Sequence, residues 1–295
     1  MTSAQLEHSI SPQESYGPLQ VRNKELRFGS RTFVMGIINT TPDSFSGDGV
    51  LDAGLAVTRA LEQISQGTDI IDVGGQSTRP GYEAVDGETE CQRILPVIAG
   101  LRKVSDVIIS VDTFVPKVLE RAVDAGADVL NSVRGIDEAL LEVIKKRNMP
   151  VVITHNKAEP TYPEGVVNEV VAELRAQAQR AMSAGLKREQ VILDPGIGFG
   201  KTADQNIEIL SSLGRITKLG FPTLIGTSRK STIGKTTGRP VDERTYGTAA
   251  TIALAIAHGI DVVRVHDVKE MIDVVKMSDA IVRNWRPDDW GKASQ

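Results

Sequence analysis

Eight short apolar, β-rich runs recur every 20–40 residues along this chain, each followed by a stretch of helical character. They are FVMGIIN (33–39), DIIDVGG (69–75), VIISVD (107–112), VLNSV (129–133), PVVITH (150–155), VILDPG (191–196), PTLIGTS (222–228) and DVVRVH (261–266). Apolar residues run through them without strict alternation, the pattern of parallel strands buried on both faces. Between them lie helical stretches such as LDAGLAVTRALEQISQG and the amphipathic NEVVAELRAQAQRAMSAG. Such a rhythm leaves an open doubly wound sheet or a closed barrel. An open sheet has two edge strands, usually shorter or more polar, and none of the eight runs is of that kind. The polar residues decide more strongly. Asn39, Gly75, Asp112, Asn131, His155, Asp194, Ser228 and His266 each fall at the C-terminal end of a run. A barrel gathers all eight ends around one mouth, whereas an open sheet brings together only those near its switch point. The expected fold is an α/β protein, a single-domain (β/α)8 TIM barrel over residues 21–295. A loose tail (1–20) precedes it, and a short N-terminal hairpin comes before the first barrel strand. LQVRNKELRF, Gly29-Ser30 as the turn, and RTFV compose that hairpin.

Composition narrows the partners. Aromatics are 4% of the 295 residues and the net charge is -4, so neither a stacking platform nor a basic surface for nucleic acid is expected. Local basic groups can still hold a small anion inside a net acidic protein. The single cysteine, Cys91, can form neither an intramolecular disulfide nor a cysteine metal cluster. MTSAQLEHSI has no basic and apolar leader pattern, and no window is a membrane span. A soluble, cytoplasmic protein is expected, with no membrane partner.

Several constellations carry chemistry. The first run leads into Asn39-Thr-Thr-Pro-Asp-Ser-Phe-Ser46 and then Gly47-Asp48-Gly49. By itself this reads as a turn and a helix cap. Phe45, an aromatic between Ser44 and Ser46 in a polar loop, fits either a tucked anchor or a lid. Gly74-Gly75-Gln76-Ser77-Thr78-Arg79-Pro80-Gly81 offers close backbone approach and an arginine suited to an oxyanion. A surface arginine in a loop is the plainer alternative. Asp112, Asn131 and Asp194 together supply donors and acceptors for a flat heterocycle with amino, ring N–H and carbonyl groups. Helix capping is the alternative, plausible for Asp112 and weaker for Asp194, which Pro195 follows. The run from Asp194 to Thr202, DPGIGFGKT, invites a phosphate-loop reading, but Pro195 stands where that motif requires its first glycine.

Ser228-Arg229-Lys230-Ser231 follows the seventh run, and Arg264-Val265-His266 ends the eighth. Loops after strands 7 and 8 are the recurrent phosphate site of this fold. Alternation places Arg264 and His266 on one side, facing the barrel interior or mouth. An inward arginine needs an anion, either a ligand or a structural partner such as Asp112 or Asp194. The four histidines lack zinc spacing. A loosely held Mg²⁺ bridging a diphosphate and protein oxygen remains open, with Asn39 the best-placed oxygen.

GIINTTPDSFS, DVGGQSTRPG, SVDTF, DPGIGFGK, GTSRKSTIG and RVHDV, in this order, resemble the dihydropteroate synthase family from about Phe33 to Trp285. The resemblance implies transfer of the pterin methylene from 7,8-dihydropterin-6-ylmethyl diphosphate to p-aminobenzoate, releasing pyrophosphate in folate biosynthesis. By position, Asp112, Asn131, Asp194 and Lys230 would hold the pterin. Asn39, Arg79, Arg264 and His266 would hold the diphosphate, with Mg²⁺ at Asn39. Thr78, Pro80, Phe199 and Ser231 would border the p-aminobenzoate site. Phe45, Ser46 and Asp48 would belong to the first loop. Asp112, Lys230, Arg264 and His266 would carry catalysis, with His266 among the groups neutralising the leaving diphosphate. A homodimer packed through late helices is also implied.

The chain departs from the family pattern at Gln76, often glutamate, at Ser132, often aspartate, and in Thr154-His155-Asn156, usually Met-His-Met. In the first loop the usual aspartate position is Gly47, with Asp48 one step later. Two rivals remain: a methyltransferase domain passing methyltetrahydrofolate to a corrinoid, and a pterin-binding paralogue without turnover. The first has no need of a basic cluster such as Arg79, Lys230 and Arg264. The second would have lost a charged site residue.

Overall fold

The computed structural model describes residues 16–40, 53–76, 85–287 and 289–291. A two-stranded hairpin, β1 (Leu19–Val21) and β2 (Lys24–Leu26), precedes eight parallel strands: β3 (Phe33–Asn39), β4 (Ile70–Gly74), β5 (Ile108–Asp112), β6 (Val129–Ser132), β7 (Val151–Thr154), β8 (Val191–Asp194), β9 (Leu224–Ile225) and β10 (Val262–Val265). The helices between and after them are α1 (Ala53–Ser65), α2 (Gly87–Val104), α3 (Pro116–Ala125), α4 (Glu138–Arg147), α5 (Val166–Ser183), α6 (Ala203–Ser211), α7 (Gly214–Thr217), α8 (Ser231–Thr237), α9 (Thr245–Ala257) and α10 (Val268–Val282). Sheet order is β8-β7-β6-β5-β4-β3-β10-β9, and a parallel bridge between Leu193 and Thr223 joins β8 to β9. This is the expected (β/α)8 barrel. No helix among the described residues is long and apolar enough to cross a membrane.

Aspartates stitch the N-terminal end of the barrel. Asp69, Asp128 and Asp261 each stand just before a strand and accept a hydrogen bond from a backbone N–H of the neighbouring strand or its lead-in: Val34 (2.8 Å), Ile109 (2.9 Å) and Thr223 (3.0 Å). Each carboxylate thus fixes the register of two strands at the face where this fold keeps its stability determinants.

The hairpin turns at Arg22-Asn23, with Arg22 at φ 55°, so that Leu19 pairs with Leu26 and Val21 with Lys24. This corrects the expected turn at Gly29-Ser30. That segment does turn, but it leads into the barrel, where Phe33 and Val34 pair with Val262 and Val263. Leu19 and Gln20, expected in the tail, already belong to β1. The reason is packing. Leu19, Val21 and Leu26 join one apolar cluster with Met35, Ile70, Ile108, Val129, Val152, Ile192, Leu224 and Val262, which fill the barrel floor. Only the observed pairing points all three hairpin residues at that floor. Tyr16 adds an O–H donated to Asp261 (3.0 Å). Leu26→Ala should therefore lower stability by roughly 2–4 kcal/mol. A shift of the urea midpoint with unchanged KM values is the expected result, because the hairpin plugs the end opposite the mouth.

Candidate active site

Inward-facing side chains change character along each barrel strand. Above the apolar floor, Ile70 gives way to Asp72 on β4, Ile108 to Ser110 and Asp112 on β5, and Val129 to Asn131 on β6. Val152 gives way to Thr154 on β7, Ile192 to Asp194 on β8, and Val262 to Arg264 on β10. The polar layer so formed is buried yet opens toward the strands' C-terminal ends. It brings together Asp112, Asn131, Asp194 and Arg264, as expected from the sequence.

Arg264 is the centre of this layer. Its Nε donates to Asp72 Oδ2 (2.7 Å) and its Nη2 to Asp112 Oδ2 (3.0 Å). Asn131 Nδ2 donates to the same Asp72 oxygen (3.0 Å). The structural ion pair weighed as the alternative therefore exists, with Asp72 taking the place of Asp194. It uses only part of the guanidinium: Nη1 makes no hydrogen bond to a described residue, and 18% of the side chain is exposed. Two carboxylates share one guanidinium, leaving an excess of buried negative charge. Burial first, then Asp72 and Glu90, push the Asp112 carboxyl up to about 7 against the pull of Arg264 and Lys230. Burial likewise raises Asp194, whose Oδ1 accepts from the Gly196 N–H (2.8 Å). Neither aspartate caps a helix. α3 begins at Pro116 behind Val115, and β8 runs into the glycine loop.

His266 follows β10, and its Nδ1 lies 3.0 Å from Ser228 Oγ, which also accepts from the His266 backbone N–H (3.2 Å). Burial, Arg264 and Arg229 depress its pKa to about 3, so it is neutral. Neutral, it brings a hydrogen-bonding edge to the mouth. Arg229, at φ 58°, pairs with Asp267, and this ties the loop after β9 to the start of α10. Lys230 occupies the N-cap position of α8, and its side chain reaches back over Phe199, its Nζ 4.3 Å from the ring centre. Ser231 is exposed at the first turn of α8, and Asn39 is half-buried at the end of β3. Phe45, Ser46, Gly47 and Asp48, with Thr78, Arg79 and Pro80, lie outside the described residues.

The glycines of the loop after β8 are required by close backbone approach. At Gly196 (φ +69°) an added Cβ would sit 1.9 Å from His155 O, and at Gly200 (φ +57°) 2.0 Å from Lys157 O. Lys201 does not point outward as a phosphate-binding lysine would. Its Nζ donates to the carbonyls of Gly196 and Phe199 (both 2.9 Å), in keeping with the failed phosphate-loop match at Pro195.

Comparison with known proteins agrees with this geometry. Residues 35–266 match the model of the pterin binding enzyme family. A dihydropteroate synthase of Clostridium beijerinckii is 45% identical over 269 residues, covering 90% of this chain and 100% of that one. The chain belongs to the dihydropteroate synthase family of pterin binding enzymes. A dihydropteroate synthase structure from Clostridium difficile, determined in the presence of pteroic acid, superposes with a TM-score of 0.84 at 43% identity, over 87% of this chain and 98% of that one. One from Xanthomonas albilineans with 4-aminobenzoic acid gives 0.86 at 37% identity, over 92% and 99%.

Against the dihydropteroate synthase pattern, the departures have local partners. Gln76 Nε2 donates to the buried Glu90 (2.7 Å); a glutamate at 76 would have to share a proton with it. Ser132 donates to the Gly135 carbonyl, and Thr154 to Asp194 Oδ2 (3.4 Å). Asp72 is the site residue that sequence reasoning missed. Its signal was present: an aspartate inside DIIDVGG, two positions from Ile70 and Gly74 and so on the inward register.

Proposed function

We propose that this protein condenses 7,8-dihydropterin-6-ylmethyl diphosphate with p-aminobenzoate to give 7,8-dihydropteroate and pyrophosphate, a step of folate biosynthesis. The observation that carries the reading is the buried Asp112–Arg264–Asp72–Asn131 network beside Asp194 and Lys230 at the barrel mouth. Asp112, Asn131 and Asp194 match the amino, ring N–H and carbonyl groups of a pterin edge. Arg264, through Nη1, and neutral His266 face the leaving diphosphate, with Arg79 expected to join them. Phe199, Ser231, Thr78 and Pro80 border p-aminobenzoate. The amine nitrogen attacks the pterin methylene carbon as its C–O bond breaks. Diphosphate departs with the electron pair, and the amine loses one proton. The carboxylates facing the ring stabilise positive charge developing there, and donors around the diphosphate stabilise negative charge. No covalent enzyme intermediate is required.

Among the described residues there is no group of three or more His, Cys, Asp or Glu that could hold a metal. A Mg²⁺ ion arriving with the diphosphate would be held on the protein side by the Asn39 side-chain oxygen. Bound there, it would neutralise charge on the leaving group. The assembly we propose is a homodimer through late helices, supported by exposed Tyr246 and Leu254 on α9 and Met277 and Ile281 on α10, two adjacent helices. The compartment we propose is the cytoplasm, in keeping with the lone, buried Cys91.

Pyrophosphate release tests the whole reading. It should require both substrates and rise with Mg²⁺. Pterin binding without release would favour the non-turnover paralogue, and methyl transfer from methyltetrahydrofolate would favour the corrinoid-linked rival.

A further inference from the structure

We infer that Lys201 is a positioning residue, an internal clamp whose ammonium holds the loop after β8 so that Phe199 stays against Lys230 as a wall of the substrate pocket. An ammonium has three hydrogens, and four acceptors surround this one, the longest contact being to the His155 carbonyl at 3.4 Å. The carbonyls of Gly196 and Phe199 each lie 2.9 Å away, and so does His155 Nδ1. These acceptors come from both ends of the glycine loop and from the end of β7. The ammonium therefore closes the loop from inside, as a bound cation would. A second tether acts independently. The buried Asn206 accepts from the Gly198 N–H (2.8 Å) and donates to Thr232 Oγ1 (3.1 Å), linking the loop to the helix whose N-cap position Lys230 occupies. Phe199 sits between the two tethers, with Lys230 Nζ over its ring.

The clamp is titratable. Burial is the main force lowering the Lys201 pKa, to about 7. Asp194 on β8 and Glu173 on α5 favour the charged form, and Lys230 and Lys157 oppose it. His155 is neutral, with its pKa held near 3 by burial and Lys201, and Glu169 on α5 favours its charged form. A neutral amine has two hydrogens for these four acceptors and so holds fewer of them at once. The loop should loosen as pH rises through the neutral range.

This role rests on the proposed use of Phe199 beside p-aminobenzoate, and two readouts separate it from that reading. In Lys201→Met, KM for p-aminobenzoate should rise about tenfold or more while KM for the pterin diphosphate changes little, since a wall displaced by about 1 Å suffices for such an effect. Hydrogen exchange needs no turnover. The Phe199 amide, which donates to Gly196 O (3.1 Å), should lose about tenfold in protection in the variant, with the barrel strands unchanged. In the wild-type protein the same amide should lose protection above pH 7 after correction for intrinsic exchange, a measurement that stands even if the variant does not fold. Unchanged Phe199 protection in both experiments would overturn the clamp. An unchanged p-aminobenzoate KM in a folded variant would overturn its link to the pocket. Absence of pyrophosphate release from the wild type would instead overturn the functional reading.

Discussion

Arg264→Ala should reduce p-aminobenzoate-dependent pyrophosphate release, measured as kcat/KM, by about 10²–10³-fold, the usual loss when one preorganised donor facing developing charge is removed. Two effects of the same side chain add here. Nη1 is the part of the guanidinium left for the diphosphate, and Nε and Nη2 hold Asp72 and Asp112 in place. Alanine leaves those two carboxylates buried without their cation, and breaking a buried pair from one side destabilises by roughly 3–5 kcal/mol. The urea midpoint should therefore fall together with activity. Arg264→Lys separates the two effects. An ammonium keeps the charge but cannot bridge both carboxylates in a planar fork, so stability should recover more than turnover. Full activity in Arg264→Ala would exclude a diphosphate role for this residue.

Why the sequence exposed Arg264 and Asp112 but not the other partner, Asp72, is a matter of strand geometry. The residues at the mouth were legible because a parallel strand buried on both faces has little reason to end in Asp, Asn or His unless its end opens on a site. Asp112, Asn131 and Asp194 stand out for that reason. Asp72 lies inside its strand, level with Ile37 and Ser110 on the neighbouring strands. Its link to Arg264 crosses 192 residues of sequence. Periodicity can place Asp72 inward, but only barrel closure and shear decide which inward group it meets. Lys201 shows the opposite limit: Pro195 excludes the phosphate-loop reading, but the sequence does not show what the lysine does instead. Three positive-φ glycines curl the loop so that the lysine meets the loop's own carbonyls. The hairpin shows the same limit: Gly29-Ser30 is the better turn dipeptide, but burial of Leu19, Val21 and Leu26 selects the turn at Arg22-Asn23.

Burial of Asp112, reinforced by Asp72 and Glu90, leads to the second large effect. With Asp112 raised to about 7 from an unfolded value of about 4, the folded protein holds more protons than the unfolded chain between those pH values. Stability should therefore fall as pH rises through that window, by on the order of 4 kcal/mol. Binding should run the other way. A pterin edge presents N–H donors, which the carboxylate accepts with both oxygens and the protonated acid with its carbonyl oxygen alone. The kcat/KM for the pterin diphosphate should thus climb about tenfold per pH unit below pH 7 and level off above it. Asp112→Asn removes the titrating charge but keeps an oxygen for Arg264 Nη2. At pH 8 this variant should be at least as stable as the wild type, yet lose about 10²–10³-fold in kcat/KM and the acid limb of its profile. Thermal melts and pH profiles on the same samples read both effects. A variant that loses stability at pH 8 while keeping its acid limb would show that Asp112 serves the fold and that another group titrates with the pterin.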